Sequence, residues 1–191
     1  SEVTIGAVVS DPARQMKLPV VDLKLLPTAA ALDAELMLGL PPGITAATGM
    51  DALTHAVEAY LSRMASKKTD ALALDAAQLV IQNLPTAFRD GKNLEARQKM
   101  ARASHLAGLA ITQAGVGYVH AIAHNFGAYY HTPHGLANAI VMPHVLEYSL
   151  PKCHGKLAEL ARACNIGSAA QSSEQQAVAF IQHIRQLNAE F

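Results

Sequence analysis

The chain has no tryptophan, two cysteines, 5% aromatic residues and only 16% charged ones, with 15 basic side chains set against 15 acidic. Each shortage excludes something. Scarce aromatics and zero net charge exclude a basic groove with stacking platforms for nucleic acid. Cys153 and Cys164 fall in an expected helix, about 16 Å apart along its axis, too far to bridge. They read as reduced thiols of a cytoplasmic protein. The opening residues resemble neither a signal peptide nor a basic amphipathic leader. The first residue is Ser rather than Met, and we expect a piece of a longer protein.

Charge is missing most completely from residues 103–146, which contain no Asp, Glu, Lys or Arg yet hold six of the nine histidines. Gly, Pro, Asn and Gln interrupt this stretch, so no apolar run reaches the length of a membrane span. Its polar groups are concentrated in imidazoles, and buried imidazoles need partners.

What the chain does have is 51% hydrophobic residues in 191, enough for one good core or two small ones. Residues 2–41 are strand-like and turn-rich. Val3, Ile5 and Ala7 alternate with small or polar residues before Val8 and Val9, Asp11-Pro12 turns the chain, and 17–21 extends again. Strands this few leave open edges and cannot form a domain alone. From Ile44 onward the spacing predicts helices over 44–64, 70–88 (with Pro85 kinking its end and Gly91 stopping it), 94–113, around 156–164, and 173–187. The fold class is therefore mainly α, a helical bundle with a short strand-rich N-terminal segment.

Two sets of residues carry chemistry. Asp51, His55 and Glu58 share one helical face, so Asp51 and His55 can point at one ion while Glu58 stands a turn beyond. Alone, such a pair is more often an Asp hydrogen-bonded to a His. The second set shifts the balance: His120 and His124 have i, i+4 spacing, and His131 and His134 flank a Pro-Gly-marked turn. An Asp with several His is the donor chemistry of a divalent cation. Spacing leaves six candidates for about four places. A zinc peptidase is a weak reading because Ala121 stands where its general base belongs.

The string 45–60, Thr-Ala-Ala-Thr-Gly-Met-Asp-Ala-Leu-Thr-His-Ala-Val-Glu-Ala-Tyr, resembles the first signature of the iron-containing alcohol dehydrogenases, which have a dehydroquinate synthase-like fold. Residues 117–124, Gly-Tyr-Val-His-Ala-Ile-Ala-His, with 132–139, Thr-Pro-His-Gly-Leu-Ala-Asn-Ala, resemble the second. The resemblance implies that Asp51, His55, His120 and His134 are the metal ligands, that His124 positions substrate or relays a proton, and that His131 lies at the pocket rim. It implies that Glu58 is an outer support or cap. It likens residues 1–4 to the tail of one of the family's cofactor-domain elements and puts Lys17 near a nicotinamide cofactor, with Gly6 and Leu40 flanking the same cleft.

The family's upstream Gly-rich pyrophosphate loop has no counterpart in this chain. The resemblance thus implies residues 1–42 as a remnant of the cofactor-binding domain and interdomain connection, and 43–191 as a helical metal-binding domain incomplete at its C-terminus. It implies Fe2+ (Zn2+ in the same ligand set), NAD or NADP in the intact protein, hydride exchange with a small alcohol or aldehyde, and a homo-oligomer. We expect no nucleic-acid or membrane partner, and we expect the chain alone to be inactive with alcohols and prone to self-association. A metal-dependent relative with different chemistry and a non-catalytic helical binding module are the other two readings.

Overall fold

The computed structural model describes residues 3–191. Ser1 and Glu2, part of the expected cofactor-domain tail, lie outside the described residues. The chain then forms an antiparallel hairpin of β1 (Gly6–Asp11) and β2 (Met16–Val21), with Gly6 opposite Val21 and Ser10 opposite Lys17. Gln15 closes the turn at φ 49. Within β2 only Lys17 is half-buried, where the strand rests on the fourth helix. Two short 3-10 turns, Leu23–Leu25 and Ala34–Met37, lead to the bundle. Arg97 fastens this connection: it is buried and donates to the Leu40 and Gly91 carbonyls (3.1 and 3.0 Å) and to Thr45 Oγ1 (2.6 Å).

Six helices follow among the described residues: α1 (Pro42–Leu61), α2 (Lys67–Arg89), α3 (Leu94–Ala114), α4 (Tyr118–Tyr130), α5 (His134–Ala163) and α6 (Ser173–Glu190). Pro42 at the start of α1 has its φ already set for a helix and no N–H to lose there. The helix is apolar almost all round, and a helix of that kind belongs inside. It packs on α2, α3 and α5 and buries Met50, Leu53, Val57 and Tyr60. Gly49 lets α2 come close, because a Cβ there would overlap the Leu84 side chain. The small residues Ala103, Ala107, Gly108, Ala110 and Ala114 do the same for α3.

Three helices differ most from the sequence expectation, one of them α4, which the expected spans do not include. Helix α2 begins at Lys67 rather than Asp70, because Ser66 and Thr69 form a reciprocal capping box. The helix expected around 156–164 is the end of α5, which begins at His134 and continues through Pro143 and Pro151. Each proline removes a ladder donor, yet Val141 and Met142 before the breaks, Leu146 between them, and Leu157 and Leu160 after them all belong to one core. Tertiary burial outweighs the two lost hydrogen bonds. Helix α6 buries Ala177, Phe180, Ile181, Ile184 and Leu187, the face its periodicity predicts. No single helix among the described residues is long and apolar enough to cross a membrane.

Candidate metal centre

Three helices and one strand aim polar side chains at a common point. Helix α1 contributes Asp51, His55 and Glu58, α4 contributes His120 and His124, α5 contributes His134, and β2 brings Lys17 over α4. The Lys17 ammonium lies against Gly127, where a Cβ would overlap it. His120 is the hub. Its ring stacks on His55 with centroids 4.5 Å apart and lies 5.3 Å from the His134 ring. His120 Nε2 and His134 Nε2 stand 3.4 and 3.6 Å from Asp51 Oδ1. Four donors about 2.1 Å from a metal are about 3.4 Å apart along each edge of a tetrahedron. The two observed separations match that edge, and donor atoms of Asp51, His55 and His120 all lie within 4.8 Å of one another. Asp51, His55 and His120 therefore have the chemistry and spacing to hold a divalent cation, and His134 stands beside them on the Asp51 side.

His120 is aimed from behind. Glu58 Oε2 pairs with His120 Nδ1 at 2.6 Å, which leaves Nε2 facing Asp51. The same side chain caps α4: Oε2 accepts from the Gly117 N–H (2.8 Å) and Oε1 from the Val119 N–H (2.6 Å). Helix α4 has no capping side chain of its own. A Cβ at Gly117 would stand 2.9 Å from Glu58 Oε1, so a side chain there would press on the capping carboxylate. The cap that the sequence reading allowed for Glu58 is present, and the same carboxylate stands behind His120.

Electrostatics sort the histidines. Burial lowers His55 to about 4 despite the pull of Asp51, and burial, then His134, His120 and Lys17, lower His124 to about 4. Burial also lowers His134. Burial opposes the charge on His120, but hydrogen bonds to Asp51 and Glu58 prevail and raise it to about 9. Burial likewise opposes the charge on Asp51, but the His120 hydrogen bond and the neighbouring imidazoles bring it down to about 2.

These directions set a stability profile for the cation-free chain. Unfolded His55 and His124 take up protons near 6.5 while the folded chain resists until about 4, so stability is lost as pH falls through that window. His120 acts oppositely: its contribution is complete below 6.5 and is lost as pH rises toward 9. Urea midpoints measured with chelator present are expected to peak near pH 6.5 and to fall toward both 4.5 and 9.5. A flat profile across that range contradicts this assignment.

The remaining expected residues divide. His124 lies edge-on to His134 at 5.0 Å between centroids, beside the cluster. Lys17 is near enough to influence both His124 and His134. His131 is exposed and ends α4 in a left-handed conformation at φ 56. Gly6 sits at the far end of the hairpin from Lys17, and Leu40 packs beside Arg97. No contact between either one and the cluster is seen among the described residues. Sequence reasoning misses Asn138, fully buried on α5, whose Nδ2 lies 2.6 Å from Asp51 Oδ1 and 3.2 Å from both His120 Nε2 and His134 Nε2. Its i+4 spacing from His134 is the available signal. On the open side, a groove of about 700 Å³ with largely apolar walls, among them Ile44, Met50, Leu136 and Ile140, runs from Asp51 and His134 to Phe191.

Residues 45–191 match the C-terminal part of the Fe-containing alcohol dehydrogenase family. The chain belongs to the iron-containing alcohol dehydrogenase family. It is 47% identical over 189 residues to the 1-propanol dehydrogenase PduQ of Citrobacter freundii, covering 98% of this chain and 51% of that protein. It is 47% identical over 150 residues to the NAD-dependent methanol dehydrogenase of Bacillus methanolicus, covering 78% and 39%. The crystal structure of a 1,3-propanediol oxidoreductase superposes with a TM-score of 0.95 at 43% identity over 99% of this chain and 50% of that one. The chain thus spans about half the length of these relatives.

Proposed function

We propose that this chain carries the metal-binding half of a nicotinamide-dependent alcohol dehydrogenase or aldehyde reductase, with Asp51, His55, His120 and His134 holding a ferrous ion. The convergence of Asp51, His120 and His134 at tetrahedral-edge spacing supports it most directly. When bound, the ion supplies Lewis acidity to an alcohol or carbonyl oxygen; Zn2+ suits the same donors. Glu58 holds His120 in register through Nδ1. His124, kept neutral by burial and neighbouring charge, is placed to accept or pass a proton at its ring nitrogen. The Lys17 ammonium at the β2–α4 contact suits the polar edge of a nicotinamide cofactor, with Gly6 and Leu40 as outlying parts of that cleft. Apolar walls beside Asp51 and His134 suit a small alcohol or aldehyde with a hydrocarbon skeleton.

The same reading divides the chain into residues 1–42, a remnant of the cofactor domain and its connection, and residues 43–191, the metal-binding domain. NAD is supported by the name of the methanol dehydrogenase relative, and NADP fits the fold equally. Two free thiols support a cytoplasmic setting, and assembly into a homo-oligomer belongs to the same proposal.

The test is elemental analysis after anaerobic loading with ferrous ion or Zn2+. The chain is expected to retain about one equivalent, as one tetrahedral site dictates, and a variant with His55→Ala and His134→Ala is expected to retain none. Equal retention by both proteins would remove the site from these residues.

A further inference from the structure

We propose that Asn188 on α6 supplies the hydrogen bond that Pro143 denies to α5, and that this bond sets the bend by which α5 aims His134 at the cation. The aim rests on the ligand set proposed above; the hydrogen bond stands without it. In an α-helix the carbonyl of one residue accepts from the N–H four residues on. Pro143 has no N–H and its ring crowds the carbonyl of Ala139, so that carbonyl loses its ladder partner. Pro151 does the same to Glu147, but Glu147 is exposed and water can serve it. Ala139 is buried, and a buried carbonyl needs a donor from elsewhere. Asn188 Nδ2 donates to it at 2.6 Å.

The other end of the Asn188 amide is the second observation. Its Oδ1 is buried and has no hydrogen-bond partner. Such an oxygen is costly, so the side chain is kept there for what its nitrogen does. Its orientation is fixed as well, because a half-turn of the amide would set oxygen against oxygen. Among the described residues this is the one hydrogen bond from α6 to the part of α5 before Pro143; Arg185 and Gln176 pair with Glu147 and Arg162 beyond it.

That part of α5 begins with His134, whose Nε2 stands 3.6 Å from Asp51 Oδ1. His134 lies about 13 Å from Pro143 along the axis, so a change of about 10° in the bend carries its ring about 2 Å. A ligand displaced that far has left a bond about 2.1 Å long. Asn188 is thus a positioning residue, acting through the helix and not on the ion.

Cobalt(II) is the probe. Affinity is read by competition with a chromophoric chelator, geometry from the visible d–d bands, and stability from the urea midpoint of the chelated chain. Asn188→Leu is expected to lower the midpoint, to bind cobalt at least about tenfold more weakly and to alter the bands. Asn188→Asp puts an oxygen against the Ala139 carbonyl and is expected to lower the midpoint at least as much. Pro143→Ala returns the N–H to the ladder, so in that background Asn188→Leu is expected to change midpoint and affinity far less than in the parent. Phe180→Leu cuts into the buried face of α6 about two turns away and is expected to lower the midpoint while keeping affinity and bands.

If Asn188→Leu has the same effect in both backgrounds, the amide does not stand in for the missing donor and the proposal fails. It fails also if Asn188→Leu lowers the midpoint yet keeps the parent's affinity and bands, since the bond then braces the bundle without aiming His134, or if Phe180→Leu weakens cobalt binding as much. A parent chain that takes up no cobalt overturns the ligand set and with it the aim of His134; the comparison of midpoints needs no cation and still decides the hydrogen bond.

Discussion

A chain carrying Glu58→Ala is expected to lose about 3–5 kcal/mol of stability, the loss typical when one partner of a buried charged pair is deleted, and to bind a divalent cation about 10- to 100-fold more weakly. Both effects come from one side chain with three donors on it. The N–H groups of Gly117 and Val119 lose their acceptors at the start of α4, a helix without another cap. Gly117 and Tyr118 are exposed, but Val119 is fully buried, so its N–H loses an acceptor where water does not reach. His120 loses the bond at Nδ1, so its ring is free to turn and Nε2 no longer holds its place beside Asp51. Glu58→Gln separates the two roles. The glutamine keeps one oxygen for the cap, but its NH2 faces either a backbone N–H or the imidazole, so an intermediate loss is expected. Urea unfolding of the chelated chain reads the first effect and chelator competition reads the second. Cation affinity unchanged in Glu58→Ala, with the stability loss present, would reduce Glu58 to a cap alone.

Much of this centre is legible in periodicity. Residues 51, 55 and 58 on α1 and residues 120 and 124 on α4 share faces because 3.6 residues make a turn, and that rule needs no tertiary information. The starts of α2 and α6 follow from Ser-x-x-Thr and Ser-x-x-Gln boxes, local patterns of the same kind. The parts that escape such rules depend on long-range packing. The span of α5 is hidden because Pro143 and Pro151 are breakers by local rule, and only the core shared with α1 and α6 carries the helix through them. Asn138 is hidden because a neutral amide between Ala137 and Ala139 gives no charge signal; it matters only once α1 and α4 bring Asp51 and His120 to it. Lys17 reaches the site through resemblance alone. Nothing in a two-stranded hairpin says which helix it will rest on, and the contact with α4 decides its role. Gly6 shows the reverse, since resemblance groups it with Lys17 while the hairpin register puts the two at opposite ends.

The closest backbone approach at the site yields the second large effect. A Cβ on Gly135 would overlap the carbonyl of Ala47, so α1 and α5 meet there with no side chain between them. The atoms it would meet first all belong to the Ala47 backbone, inside a largely buried helix, and cannot swing aside as a rotamer would. Gly135→Ala is therefore expected to cost at least about 1–3 kcal/mol, the range for overpacking a tight core, despite the better helix propensity of alanine. The helices must part just where His134 leaves α5 and one turn from Asp51 on α1, so cation affinity is expected to fall by more than about tenfold, as when a ligand's support is removed. Gly155 provides the internal comparison: it lies in the same helix, and a methyl group there would have nothing within 4 Å. Gly155→Ala is expected to stabilise the chain by about 0.5–1 kcal/mol and to leave cation affinity unchanged. Urea unfolding and cobalt titration of the two variants should move in opposite directions in the first measurement and differ only for Gly135→Ala in the second. Two variants of equal stability would mean that α1 and α5 can slide apart freely, and the spacing between Asp51 and His134 would then owe nothing to the glycine contact.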